Sequence, residues 1–597
     1  MQYASFFLGL TTAVLTTTTA LAHGGQILSE MPCPVNEPMG LAVDGDALWI
    51  SDMATASVVK VRMADGSIAE RLDVPGFVPT GLAIRDGVLF IADRNLDTIS
   101  RRAVHGGPSP WPLPIYEPWP AGMAWDGSKI WVADARRAKI HQLDPVDGTT
   151  VASFEAPAKS PTGVAFDGRY LWVADHGTDE LYMVDRRDGA VVTILPSPGP
   201  YPNALAAGDG FLWVADYQAR KLFRVALPDD TPYLEDQPRR VRVSYSVVYR
   251  AKGTGSVSNL VSYVAIPRDI PGQHVLAAPR FDPPPTRVVT DRWGQQVAVF
   301  ELGTLAAGSS RTVRWEGDFA LYRVRFHIVP ELVNREPIPA SMKPWLADDK
   351  KYDLSSPALA SIVGKVTDGK TTTYDKARAI FEHIAKVISY DRSGGWNNAA
   401  AVLERGTGSC SEYTFALVAL LRKAGIPARY VGALSERGDE ASFDDVFHRW
   451  AEAWFPGYGW VPLDANAAHG TPPGERASFF GGRSNRHVVT TIEGGGTDLL
   501  DWTYNSHQTW EASGNVSLET LPIARYRPLD AGPPATPASA PSSLVPTLTP
   551  AEPSPPTAAS TTTAPTGHGD PWFVAMTVLL ATAVGIAVGK LGARSHA

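Results

Sequence analysis

The sequence predicts a multidomain chain: an all-β propeller, a β-sandwich, an α+β domain and a C-terminal transmembrane helix. Three observations predict it. An aspartate closes a short apolar strand every 41 residues, at Asp52, Asp93, Asp134, Asp175 and Asp216. Strict alternation follows from Arg240 to Arg250 and gives way to helical spacing after Tyr352. A charge-free run of 18 residues, 572–589, ends beside Lys590 and Arg594. At 597 residues the chain exceeds what one core serves. Its 44% apolar content suffices to build several. A formal charge of −8, with no Lys/Arg-dense stretch, argues against a nucleic-acid partner.

The N-terminus reads as a secretory signal over 1–22. Phe6, Leu8, Leu10, Val14 and Leu15 form an apolar run, and Ala20-Leu21-Ala22 is a small-residue cleavage site that starts the mature chain at His23. Residues 1–7 carry no Lys or Arg, which departs from the usual pattern. The propeller is expected over 23–235. Trp49, Phe90, Trp131, Trp172 and Trp213 each stand three residues before the repeated aspartate, and an earlier strand such as 163–168 leads into each. A period near 40 with several short strands per unit signals a propeller, and the pattern resembles NHL-type repeats. The fifth unit stops after its third strand, 221–225. The N-terminal tract 26–30 matches the outer strand 151–155 and can complete it. Such closure removes exposed edges. Five blades are expected, with six, one of them degenerate, as the alternative. The aspartates read as turn caps rather than metal ligands, and Cys33 as buried within the propeller.

The sandwich is expected over 236–330. Val241, Val243, Tyr245, Val247 and Tyr249 share one face, with Arg240, Arg242, Ser244 and Ser246 on the other. The α+β domain is expected over 340–526. Ser356 before Pro357 starts a helix, and Ala377, Ile380, Phe381, Ile384 and Val387 form a helical stripe. Residues 527–570 are rich in Pro, Ala, Thr and Ser without an aromatic, so they cannot bury a core. At ~3.1 Å per residue this stalk reaches on the order of 100 Å. The apolar segment 571–590 is about long enough to span a bilayer. Its basic flank places 591–597 in the cytoplasm and the bulk of the chain outside. A sorting signal that is later removed has the same composition. Gly585 and Gly589 have helix-pairing spacing.

Only two cysteines occur, Cys33 and Cys410, too few for a disulfide scaffold. Ser409 and Glu412 have capping-box spacing, which puts Cys410 in the first turn of a helix ended by Gly425 and Pro427. The positive end of a helix favours thiolate, and the Cys410 N–H can serve as an oxyanion donor. Gly406 and Gly408 give substrate room at the backbone. Residues 448–455 read as a strand with His448, Trp450, Glu452 and Trp454 on one face. A turn at 456–459 folds a second strand, 459–464, back on it and returns Asp464 towards His448. In that arrangement Asp464 orients His448, and His448 deprotonates Cys410.

Four motifs in this order, Gly408-x-Cys410, the tract 421–430, His448-x-Trp450-x-Glu452 and the tract 460–464, resemble the transglutaminase-like superfamily over about 352–466. The resemblance implies a papain-like α+β fold, Cys410, His448 and Asp464 as the catalytic residues, and acyl transfer from amide bonds of proteins or peptides. Water as acceptor gives a peptidase or amidase, an amine gives a cross-linker, and both stay open. Two departures stand out. Arg449 replaces a small or apolar residue, and Ala465-Asn466 replaces Pro-Thr. No cofactor is expected: zinc, nucleotide and calcium sites all lack a recognisable residue set. Glu452 reads as structural, Trp396 or Asn397 as a lining of the oxyanion site, and His487 and His507 show no partner pattern. Expected partners are a protein or peptide substrate, a cell-envelope polymer docked by the propeller, and the membrane through the C-terminal helix. The expected place is the cell membrane, single-pass, with the bulk extracytoplasmic. The rival function is a non-catalytic surface scaffold or adhesin.

Overall fold

A computed structural model describes residues 24–529 apart from 105–110, 117–118, 229–231 and 334–336. The predicted signal peptide, the stalk beyond Leu529 and the helix over 571–590 lie outside the described residues. Among the described residues no helix is long and apolar enough to cross a membrane.

The first third folds into five four-stranded antiparallel sheets. One comprises Pro161–Phe166, Leu171–Asp175, Glu180–Asp185 and Ala190–Pro196, from the inner strand outwards. In the last, Ile27–Pro32 pairs with Lys221–Ala226 as the outer strand, so the two ends of the repeat array share one sheet. Inner strands of neighbouring sheets meet backbone to backbone. A Cβ on Gly81 would sit 2.5 Å from the Ala121 carbonyl oxygen, and one on Gly122 2.3 Å from that of Thr162. Side chains then stitch sheet to sheet. Ser51 donates to Thr80 O (2.6 Å), Thr80 to Pro120 O (3.0 Å) and Thr162 to Pro202 O (2.8 Å). Asn203 Nδ2 donates to Pro38 O at 2.7 Å, which ties the last sheet to the first and closes the ring.

The repeated aspartates do the capping that the strand-end position implies. Asp175 accepts from the N–H groups of Ser160 (2.7 Å) and Gly177 (2.8 Å), and Asp216 from those of Tyr201 and Ala219 (2.7 Å each). Each carboxylate thereby joins the loop entering its sheet to the turn leaving the second strand.

The sandwich corrects the predicted boundaries. Its first sheet runs Gln273–Asp282, Ser310–Phe326, Tyr233–Gly253, Val516–Pro528 and Ser442–Asp444. Its second runs Arg287–Thr290, Gln296–Leu305, Ser256–Ala265 and Ser506–Ser513. The strands after 505, placed by sequence in the domain over 340–526, thus belong to the sandwich. It also begins at Tyr233 rather than 236, and Arg527 and Pro528 lie in a strand rather than the stalk. Alternation reveals a strand and its buried face, but not its partner, and here the partners are far apart in sequence. Val241, Val243, Tyr245, Val247 and Tyr249 all face the sandwich core, at most 1% exposed.

Between these strands the chain makes the α+β domain. Four antiparallel strands lie in the order Gly459–Leu463, His448–Phe455, Ala428–Ser435, His487–Glu493. The helix Cys410–Lys423 packs on one face, wrapped by the helices Pro357–Val366, Thr373–Val387 and Ala399–Arg405. Ala416 to Leu421 are at most 1% exposed, so this helix is apolar all round and sits at the centre. The fourth propeller sheet abuts the α+β domain through Gly474 N–H to Pro157 O (2.8 Å), and the end of the sandwich strand Ser310–Phe326 through Thr193 to His327 Nδ1 (2.7 Å) and Arg325 to Glu180 (2.5 Å).

Replacing Asp216 with Ala leaves the part-buried N–H groups of Tyr201 and Ala219 without their acceptor, at ~1 kcal/mol each. We expect Asp216→Ala to lower the melting temperature by several degrees in calorimetry and Asp216→Asn to lower it less. Equal melting of Asp216→Ala and wild type would contradict the capping account.

Candidate active site

Cys410 is the first residue of its helix, and Ser409 is the cap. Glu412 fixes that end. Its fully buried carboxylate accepts from the Ser409 N–H (2.9 Å), the Asn397 N–H (3.1 Å) and Arg405 Nη2 (2.8 Å). Gly408 is required because Glu412 packs on it: a Cβ there would lie 2.8 Å from the Glu412 Cβ. The glycine read from sequence as room for substrate is therefore room for Glu412. Gly406, at φ +71°, ends the preceding helix in the left-handed conformation.

The predicted hairpin forms, with Ala451 opposite Leu463 and Phe455 opposite Gly459. It brings Asp464 back to the start of its partner strand. His448 Nε2 donates to Asp464 Oδ2 at 2.6 Å, and the imidazole lies in hydrogen-bonding reach of the Cys410 thiol. Asp464 is held by the Ala467 N–H at 3.2 Å, so Ala465-Asn466 leaves the turn after it intact. The structure thus brings together Cys410, His448 and Asp464.

Their electrostatics are linked. Burial alone would raise the Cys410 thiol. The hydrogen bond and charge of His448 and the N–H and guanidinium of Arg449 outweigh burial and hold the thiol below its ordinary value. Burial works against a charged His448, yet Asp464 and the thiolate push it up to about 10. Asp464 is held down despite burial, by His448 and the Ala467 N–H. Thiolate beside imidazolium is the favoured state, and it can attack a carbonyl carbon and then protonate a leaving group.

The neighbours differ from what the sequence suggested. Asn397 turns its amide back onto Gly394 O and commits its N–H to Glu412. Trp396 stacks on Tyr504 and gives its carbonyl to Lys351. Neither is placed as an oxyanion donor. Glu452 pairs with Arg429 at 2.6 Å away from the thiol. His507 lies on the sandwich, stacked on Tyr263. His487, which showed no pattern, stacks on His448 with centroids 5.6 Å apart and meets Ser435 at 3.2 Å. Burial and the positive His448 push His487 down to about 3, so a neutral ring flanks the imidazolium. Only the pairing of His487 with Ser435 puts it there, and no local spacing encodes that. Cys33 and Cys410 are both free thiols.

Residues 360–465 match the family model for the transglutaminase-like superfamily. The chain carries a transglutaminase-like domain. An uncharacterised protein of Bacillus subtilis (strain 168), YebA, is 29% identical over 126 residues, 18% of this chain and 17% of its own length. Among solved structures, a candidate cysteine protease from Cytophaga hutchinsonii is similar over 50% of this chain and 94% of its own, at 15% identity and TM-score 0.35. Virginiamycin B lyase from Staphylococcus aureus is similar over 33% of this chain and 68% of its own, at 18% identity and TM-score 0.25.

Iodoacetamide labelling of Cys410, followed by peptide mass spectrometry against pH, should rise through an inflection below 9.0, the ordinary thiol value. Asp464→Asn removes the charge that stabilises imidazolium, and imidazolium stabilises thiolate. The inflection should therefore move up towards 9.0. An inflection unmoved by Asp464→Asn would contradict the linkage.

Proposed function

We propose that this chain is an extracytoplasmic, membrane-anchored cysteine enzyme that transfers acyl groups from amide bonds of proteins or peptides. One observation carries the reading: a buried thiol at a helix N-terminus, a half-buried imidazole and a half-buried carboxylate lie together. The Cys410 Sγ attacks the amide carbonyl carbon, and the carbonyl electron pair moves onto oxygen. The Cys410 N–H, which has no intrahelical acceptor at the first position of the helix, faces that oxygen. Collapse breaks the C–N bond, and His448 gives its proton to the departing amine. The resulting thioester is attacked by water or a second amine, whose proton passes to His448. The acyl product leaves as acid or new amide, and the thiolate–imidazolium pair is restored. General acid–base work of this kind contributes ~10²–10⁴-fold.

Anchoring is supported by the charge-free run 572–589 followed by Lys590 and Arg594. An extracytoplasmic site is supported by the apolar N-terminal run ending in Ala20-Leu21-Ala22. The propeller supplies a rigid body beside the domain, suited to docking a large substrate such as a protein or envelope polymer.

Full-chain protein is incubated with mixed cell-envelope proteins and a tagged primary amine, and products are scored by mass spectrometry. Wild type should release fragments or incorporate the tag, and Cys410→Ala should lose this by about a thousandfold or more. Fragment release without tag identifies water as acceptor, and tag incorporation identifies an amine. Equal product from wild type and Cys410→Ala would sink the proposal.

A further inference from the structure

Arg449 follows His448 in the strand, and its side chain turns to the opposite face, against the Cys410–Lys423 helix. It is 0% exposed. Nη2 donates to Trp502 O at 2.6 Å, while Nε and Nη1 are buried without a hydrogen-bond partner. Four rings enclose the guanidinium, with centroids at 4.3 Å (Tyr504), 4.6 Å (Tyr430), 5.0 Å (Trp396) and 5.0 Å (Phe415). Among the described residues no carboxylate forms an ion pair with it. Buried charges are ordinarily paired, and an arginine cannot shed its proton to escape. A cage of π-faces tolerates the cation without neutralising it, so its field reaches further than that of a paired arginine.

Asp464 is bonded to His448, and the Arg449 guanidinium packs on Phe415 of the helix that Cys410 starts. Proton transfer from sulfur to imidazole puts positive charge beside Asp464 and negative charge in the field of Arg449, so both groups favour it. The backbone N–H of Arg449 also favours the thiolate, a contribution that any residue at 449 retains. We propose that Arg449 is a positioning residue for the nucleophile: its caged, unpaired guanidinium is a fixed positive charge that keeps Cys410 ionised. The proposal rests on the reading of Cys410 as the nucleophile.

The other ionisable groups facing this core do not supply that charge. Glu493 is pushed well above the usual carboxylate range by burial and by its hydrogen bond with Asp291, and its carboxyl bonds the Tyr430 hydroxyl rather than Arg449. Burial likewise raises the phenols of Tyr430 and Tyr504. Lys351 donates to Trp396 O, and burial lowers it. Glu412 is taken by Arg405, and Asp501 is exposed.

The test is the pH dependence of iodoacetamide labelling in the full-length chain, with Cys410 and Cys33 resolved as separate peptides. Cys33 is an internal reference, its thiol pushed up to about 11 by burial. Arg449→Met keeps the bulk and removes the charge, and Arg449→Lys keeps the charge; thermal melting verifies that each folds. In Arg449→Met the Cys410 inflection should rise by about one pH unit, and labelling at pH values below the wild-type inflection should fall about tenfold. In Arg449→Lys the inflection should stay near wild type. A folded Arg449→Met with the wild-type inflection overturns the proposal. Should Arg449→Met not fold, Arg449→Lys decides: an inflection held at the wild-type value supports the proposal, and one raised towards 9.0 overturns it. A depressed wild-type inflection that ignores Arg449 defeats this proposal alone. A wild-type inflection already at 9.0 defeats the nucleophile reading with it.

Discussion

The α+β domain depends on one constraint, the placement of a single proton among Asp464 and His448, both half-buried, and the buried Cys410. An ion pair taken out of water costs several kcal/mol per charge. A helix N-terminus returns roughly 0.3–1 kcal/mol, or ~2 kcal/mol in partly buried geometry. The helix dipole therefore cannot hold Cys410 as thiolate by itself. The remainder comes from His448, whose 2.6 Å bond to Asp464 keeps its own charge in place, and from the cation at 449. Position matters as much as charge. Glu412 locks the helix start to the 394–397 loop and to Arg405, so the sulfur is presented at a fixed point.

The sandwich makes that fixed point rigid. The chain leaves it after Ser310–Phe326, builds the α+β domain, and returns through Ser506–Ser513 and Val516–Pro528. Both ends of the domain are thus anchored in one sandwich, and the loop that carries Trp502 and Tyr504 onto Arg449 leads directly into the returning strand. A propeller whose last sheet is completed by the N-terminal strand adds a second rigid body. Its inner strands approach through glycine, and its repeated aspartates accept from backbone N–H groups at the turns.

Much of this was legible in the sequence because it is local. The 41-residue interval, the strand-ending aspartates and the 448–464 hairpin all follow from spacing and turn chemistry within one or two elements. The start of the helix at Cys410 was legible for the same reason, from Ser409 and Glu412. What escaped were pairings across long separations. Val516–Pro528 reads as a strand, but nothing near it names Tyr233–Gly253 as its neighbour. His487 and His448 meet only because both strands flank Ala428–Ser435. Arg449 registered only as an odd residue in a familiar motif, since its four rings come from four separate segments. The glycine at 408 was read as space for substrate, because the packing of Glu412 on it is invisible before the helix is folded.

The most direct test is the ultraviolet absorption of thiolate, taken as wild type minus Cys410→Ala across pH. The account predicts a Cys410 thiolate signal that appears below the ordinary thiol value of 9.0 and moves up in His448→Ala. A signal that appears only as pH passes the ordinary thiol value of 9.0 would contradict it.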